Sequence, residues 1–121
     1  MSQRILFNCT HGSESPERAT LPFVAANVAA TAGIEAIVVC TVEAVRLGTI
    51  GGTDGVASPG LPPLAELLRE FLGNGGQVWL CGACTKPRGI GEEHLAAGVK
   101  IVGAAKIVET VAAGATPISF A

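Results

Sequence analysis

Charge is scarce in this chain. Only 15% of its 121 residues are Asp, Glu, Lys or Arg, against roughly 25% in an average soluble domain. A small domain has much surface to cover, so this shortage points to a face buried against another subunit. A basic excess is missing too. The net charge is -2 and the isoelectric point is near 5.6, which argues against the basic patch of a nucleic-acid binder. No apolar run reaches the roughly 20 residues that a membrane-crossing helix needs. The longest uncharged stretch of the first helical region, Ala19 to Ile34, is broken by Pro22, Asn27 and Gly33. No G-x-G-x-x-G or Walker pattern follows a strand, so nucleotide binding is not expected. Disorder is excluded as well, because 49% of residues are hydrophobic and the mean hydropathy is +0.49. The length fits one domain over residues 1–121. Met1 to Arg4 lead into a strand-like run rather than a secretory leader, which favours a cytoplasmic location.

What is present alternates between strands and helices. Arg4–Cys9 reads as a short buried strand, followed by a loop at Thr10–Glu14. Ser15-Pro16 is a helix start, and that helix runs to about Gly33, either kinked at Pro22 or beginning near Thr20. Glu35–Cys40 is a second strand, β-branched and apolar. Val42–Leu47 forms a short helix, and Gly48–Pro63 is a Gly/Pro-rich loop of functional length. Pro63–Leu72 is amphipathic, with Leu64, Leu67, Leu68, Phe71 and Leu72 on one face. Gln77–Cys81, Val99–Val102 and Thr116–Phe120 complete the strands, with a short helix at Glu92–Ala97 and a longer one at Ala104–Ala113. This order predicts an α/β domain of three layers: a five-stranded, mainly parallel sheet with helices on both faces. Right-handed crossovers suggest the flavodoxin-like order 2-1-3-4-5. That order sets the first and third strands side by side. The ends of both, Cys9 to Gly12 and Cys81 to Cys84, then flank the crevice where ligands bind in such sheets.

Four cysteines, Cys9, Cys40, Cys81 and Cys84, are expected to be reduced in the cytoplasm and point to redox, sulfur or metal chemistry before structural disulfides. Cys81-Gly82-Ala83-Cys84 is a C-x-x-C at the end of a strand, with Lys86 and Arg88 close behind. Nearby cations favour the thiolate, which is the nucleophile in sulfur transfer and disulfide exchange. Cys9 and Cys40 each end an apolar strand and read as core. His11 reads equally as a group to deprotonate a thiol or polarise a substrate and as a loop histidine bonding its own backbone. His94 reads as solvated and Trp79 as core. A zinc site from Cys9, His11, Cys81 and Cys84 is disfavoured, because no second paired motif accompanies the C-x-x-C. No metal and no cofactor are expected.

Cys81 to Ile90 reads C-G-A-C-T-K-P-R-G-I. This resembles the DsrE/DsrF-like family of small sulfur-relay proteins, in which a cysteine ends the third strand and an Arg-Gly-aliphatic triplet follows. Here these are Cys81 and Arg88-Gly89-Ile90. Gly98 to Ala105 is similar to the family's stretch between the fourth strand and the last helix. Thr10-His11-Gly12 and Val45-Arg46-Leu47 resemble the branch labelled peroxiredoxin-like. The resemblance covers nearly the whole chain. It implies a flavodoxin-type fold assembled as trimers or hexamers, with Cys81 accepting sulfane sulfur as a persulfide and passing it to a partner protein. Cys84 departs from the pattern, since many members carry a small apolar residue there.

Three functions compete. The first is a cytoplasmic sulfur carrier or sulfurtransferase with Cys81 as nucleophile, Arg88 stabilising its thiolate, and His11 or Thr10 lining the pocket. The sulfur donor or acceptor protein is a partner, and the assembly is a homo-oligomer. The second is a thiol redox protein in which Cys81 attacks and Cys84 resolves. The third is a non-catalytic oligomeric module binding a small ligand beneath the Gly48–Pro63 loop.

Overall fold

A computed structural model describes residues 3–120. Met1 and Ser2, on which part of the leader reading rests, lie outside it. Five parallel strands form one sheet: β1 (Arg4–Cys9), β2 (Glu35–Cys40), β3 (Gln77–Cys81), β4 (Val99–Val102) and β5 (Thr116–Ser119). Four helices connect them: α1 (Pro16–Thr31), α2 (Leu64–Gly73), the single turn α3 (Gly82–Thr85) and α4 (Ala104–Ala112). The α/β class is as expected. Among the described residues, no helix is long and apolar enough to cross a membrane.

The strand order is β4-β3-β2-β1-β5, not the expected 2-1-3-4-5. The cause is the packing of α1 against α2. Phe23 of α1 and Phe71 of α2, both fully buried, meet edge to face with ring centroids 6.3 Å apart at 87°. Asn27 of α1 donates from Nδ2 to the carbonyl of Leu67 in α2 at 2.9 Å. The two helices therefore share one face of the sheet. Right-handed crossovers on the same face must step in the same direction, so β1, β2, β3 and β4 follow one another across the sheet. Only α4 crosses the opposite face, returning the chain to place β5 beside β1.

The strands alternate between the two faces. Phe7, Cys9, Val38, Cys40, Val78 and Leu80 enter the larger core with α1 and α2. Leu6, Ile37, Val39 and Trp79 form a smaller core against α4, with Ile107 from that helix. The apolar spacing at Leu64, Leu67, Leu68 and Phe71 gives α2 one buried stripe. Pro22 does not end α1, which runs unbroken from Pro16 to Thr31. Pro16 sits in the first turn, where its missing N–H costs nothing. Val42–Gly48 is a 3-10 helix, and the expected Glu92–Ala97 helix is only a 3-10 turn at Glu92–His94.

The Gly48–Pro63 segment starts at the end of the 3-10 helix, makes an antiparallel bridge from Thr49 to Leu95, and continues as turns and irregular chain. Its start pairs with the β3–β4 connection: Ile50 donates to the His94 carbonyl at 2.9 Å, and Ala96 donates to that of Gly48 at 2.9 Å. Its middle dips into the larger core at Val56, whose carbonyl accepts from Leu64 at the start of α2.

Candidate functional site

The changed strand order moves the crevice but leaves Cys81 beside it. In an open α/β sheet, the crevice opens where the connections leaving two neighbouring strands go to opposite faces. The connection from β3 runs on the α1/α2 side, where Ile90, Leu95 and Ala96 pack against the larger core. The connection from β4 is α4, on the other side. The carboxyl ends of β3 and β4 therefore flank the crevice. Cys81 is the last residue of β3 and is in register with Val102, the last of β4.

Cys81 is still extended, at φ -69° and ψ 121°, before the chain turns into α3. It continues the alternation of β3, on the same face as Trp79. It is buried, with 7% of its surface exposed. Its neighbour Gly82 borders β4, where a Cβ would stand 3.4 Å from the Val102 carbonyl oxygen. Cys84, one turn on, is half-buried and packs against the larger core. Both thiols are free.

Arg88 is fixed by two contacts. Its Nε donates to Oε1 of Glu43 at 3.0 Å, and a terminal nitrogen donates to the Cys84 carbonyl at 3.1 Å. Its side chain is 22% exposed. Arg88 thus clamps the turn that follows Cys81 onto the loop after β2. Glu43 also accepts from Arg46 at 2.9 Å. The Arg88 guanidinium, and after it that of Arg46, hold the Glu43 carboxyl below the usual carboxylate range.

Glu43 was not among the candidate residues read from sequence. Its partner lies 45 positions away, and no local pattern announces such a pair. The loop that presents it is strained: Val42, a β-branched residue, has φ +54°, a conformation that costs about 1–3 kcal/mol and collects at functional sites. Gly12 packs beneath this loop, where a Cβ would lie 2.8 Å from the Glu43 carbonyl oxygen.

The strands that lead to His11 and Cys81 are not neighbours: β2 stands between β1 and β3, two strand spacings of about 10 Å. The His11 ring instead pairs through Nδ1 with the Thr10 hydroxyl at 3.0 Å. The four possible zinc ligands do not converge either. Cys9 points into the larger core and Cys81 to the opposite face, and no group of three metal-ligating side chains occurs among the described residues.

Cys9 and Cys40 are register partners on adjacent strands and are fully buried. The Cys9 thiol faces the carbonyls of His11 at 3.6 Å and Ala19 at 3.8 Å. The hydrogen bond with Cys9, reinforced by burial, pushes the Cys40 thiol well above its ordinary range. Both act as core residues. His94 is exposed and accepts from the Gly91 N–H at 2.9 Å.

The family model for the DsrE/DsrF-like family matches residues 3–120. The chain belongs to that family. Among its relatives is the uncharacterized protein MK0008 of Methanopyrus kandleri, 32% identical over 89 residues, covering 74% of this chain and 73% of that protein. Another is the uncharacterized protein MJ0760 of Methanocaldococcus jannaschii, 30% identical over 95 residues. That match takes in 78% of this chain but 34% of MJ0760, so the chain spans about a third of its length. Two solved structures share the fold. The YchN protein of E. coli superposes with a TM-score of 0.79 at 20% identity, covering 98% of this chain and 99% of that one. MTH1491 of Methanobacterium thermoautotrophicum gives 0.74 at 19%, with the same coverage. Membership of this DsrE-like family suggests sulfur relay, and members of it are often oligomeric.

Proposed function

We propose that this protein is a cytoplasmic sulfur carrier of sulfurtransferase type, which accepts sulfane sulfur as a persulfide on Cys81 and hands it to an acceptor protein. The observation that carries this reading is the position of Cys81: the only cysteine that ends a strand at the crevice between connections leaving on opposite faces. Cys9 and Cys40 are sealed in the core, and Cys84 leans on that same core. Arg88 acts as a positioning residue. With its charge engaged by Glu43, it holds the turn after Cys81 in shape rather than serving as a free counter-ion for the thiolate. His11 stands in the loop after β1, paired with the Thr10 hydroxyl, and lines the approach to the site in this scheme. The working unit is a homo-oligomer, trimer or hexamer. The low charge content favours a covered face.

The test is intact-mass analysis after exposure to an inorganic polysulfide, for the natural chain, Cys81→Ser and Cys84→Ser. The expected result is a gain of one sulfur in the natural chain and in Cys84→Ser, and none in Cys81→Ser. Sulfur retained by Cys81→Ser would defeat the proposal. Loss of two hydrogens, abolished by either substitution, would replace it with disulfide exchange between Cys81 and Cys84.

A further inference from the structure

The loops that leave β1, β2 and β3 are joined by one chain of contacts. At one end stands Gly12, buried in the loop after β1. It has no room for a side chain, since a Cβ there would lie 2.8 Å from the Glu43 carbonyl oxygen and 3.2 Å from Oε1 of Glu14. Its N–H donates to that same Glu14 oxygen at 2.8 Å, which pins the loop. The loop after β2 is tied to β1 as well, because the Thr41 N–H donates to the Cys9 carbonyl at 2.9 Å. The residues that follow Glu43, namely Ala44, Val45 and Leu47, are buried in the larger core. The backbone of Glu43 is therefore fixed on both sides.

Both oxygens of its carboxylate are engaged. Oε2 accepts from Arg46 at 2.9 Å and Oε1 accepts from Arg88 at 3.0 Å. Arg88 passes the constraint on, donating to the Cys84 carbonyl at 3.1 Å. Cys84 lies in α3, a single turn that starts directly after Cys81. A lone turn does not sustain itself, and the Thr85 hydroxyl bonding the Gly82 carbonyl at 3.2 Å is a weak internal tie. The course of the chain beyond Cys81 thus depends on the outside tie through Arg88. Among the described residues, no hydrogen bond joins Glu43 or Arg88 to the Cys81 thiol, so the link runs through the backbone of α3. The strained Val42, at φ +54°, is the residue that presents Glu43 to this chain of contacts, and such strain persists only where the surroundings over-determine it.

We infer that Glu43, seated by Gly12, is a positioning residue for Cys81. It fixes Arg88, and through Arg88 the turn that sets how the thiol meets its sulfur donor. For its reaction this rests on the carrier role proposed for Cys81. For its geometry it rests on the contacts between the three loops alone.

The test has two readouts on the full chain. The first is the rate of sulfur gain, followed by intact mass against inorganic polysulfide concentration. Glu43→Ala should lower the limiting rate about tenfold and leave the half-saturating concentration unchanged, because a residue that aligns the nucleophile without touching the donor acts on the step and not on binding. Glu43→Gln keeps an oxygen for Arg88 and should lose only about threefold. The second readout is the amide spectrum of the ¹⁵N-labelled protein. Gly12→Ala should displace the Gly82, Ala83 and Cys84 signals, although β2 stands between the two strands concerned. In an Arg88→Gln background that displacement should vanish, since the chain of contacts is cut. Gly12 does not adopt a positive φ, so alanine suits its backbone, and unchanged circular dichroism verifies that each variant folds. A limiting rate untouched by Glu43→Ala would overturn the inference, and so would a raised half-saturating concentration at an unchanged limiting rate. Turn signals unmoved by Gly12→Ala, or moved equally with and without Arg88, would overturn it too. If the natural chain gains no sulfur, the carrier role falls, whereas amide displacements that vanish with Arg88→Gln still uphold the positioning.

Discussion

The contact between Phe23 and Phe71 decides the strand order, so weakening it tests the architecture around Cys81. Both rings are fully buried and meet edge to face at 6.3 Å and 87°, inside the 4.5–7 Å range over which aromatic pairs attract. Replacing either by Leu keeps most of the apolar volume and costs about 1–2 kcal/mol. The ring–ring term, about 0.5–1.5 kcal/mol beyond burial, is lost with the first substitution and cannot be lost again with the second. The double variant should therefore be less destabilised than the sum of the singles, by about that amount. A domain of this size has about 5–15 kcal/mol of stability, so all three variants remain folded. Urea denaturation of the four proteins, followed by circular dichroism, closes the cycle. A coupling below about 0.3 kcal/mol, the level found for residues that do not touch, would mean that α1 and α2 do not share a face. The stepwise order β4-β3-β2-β1 would then lose its basis.

Two further outcomes follow from the titrating groups. Glu43 has a lowered folded-state value, so its pairing with Arg88 and Arg46 stabilises fully above the ordinary glutamate value of about 4.3 and is lost as pH falls through the folded one. The stability difference between the natural chain and Glu43→Gln should stay constant from pH 8 to 5 and shrink below about pH 4; a change between pH 8 and 6 would contradict the clamp. Cys40 has a raised value, so its protonated thiol stabilises fully below the ordinary thiol range and that contribution is lost as pH rises through the folded value. Iodoacetamide at pH 7.5 should label Cys84 ahead of Cys9 and Cys40 in a peptide map of the native protein, and labelling of Cys40 before Cys84 would refute its burial against Cys9.

Much of the architecture was legible in the chain. The β-branched run Ala36–Cys40 and the i, i+3, i+4, i+7 leucines of α2 each carry a local period, and each forms the element it announces. The C-x-x-C at the end of β3 and the Arg-Gly-Ile triplet were visible as motifs and pointed to the right family. Pro22 does not start α1 anew, because a proline within a helix gives up one internal hydrogen bond and the buried residues around it, Ala19, Phe23 and Ala26, hold the rest of the helix in place. The 3-10 turn at Glu92–His94 was over-read as a helix, since it is tied down by the Ile50 and Ala96 backbone bonds rather than by its own propensity.

The sequence by itself determined the parallel α/β class, the family, and the place of Cys81 at the end of a strand, because local periods and short motifs depend on neighbours within a few residues. Tertiary structure alone decided the rest. Whether α1 and α2 share a face is a matter of two rings 48 positions apart, and it moved the crevice from β1/β3 to β3/β4 and set β2 between the strands that lead to His11 and Cys81. The Glu43–Arg88 clamp likewise joins residues from distant segments. Such groupings carry no period along the chain, since they exist only once helix packing has set which strands are neighbours.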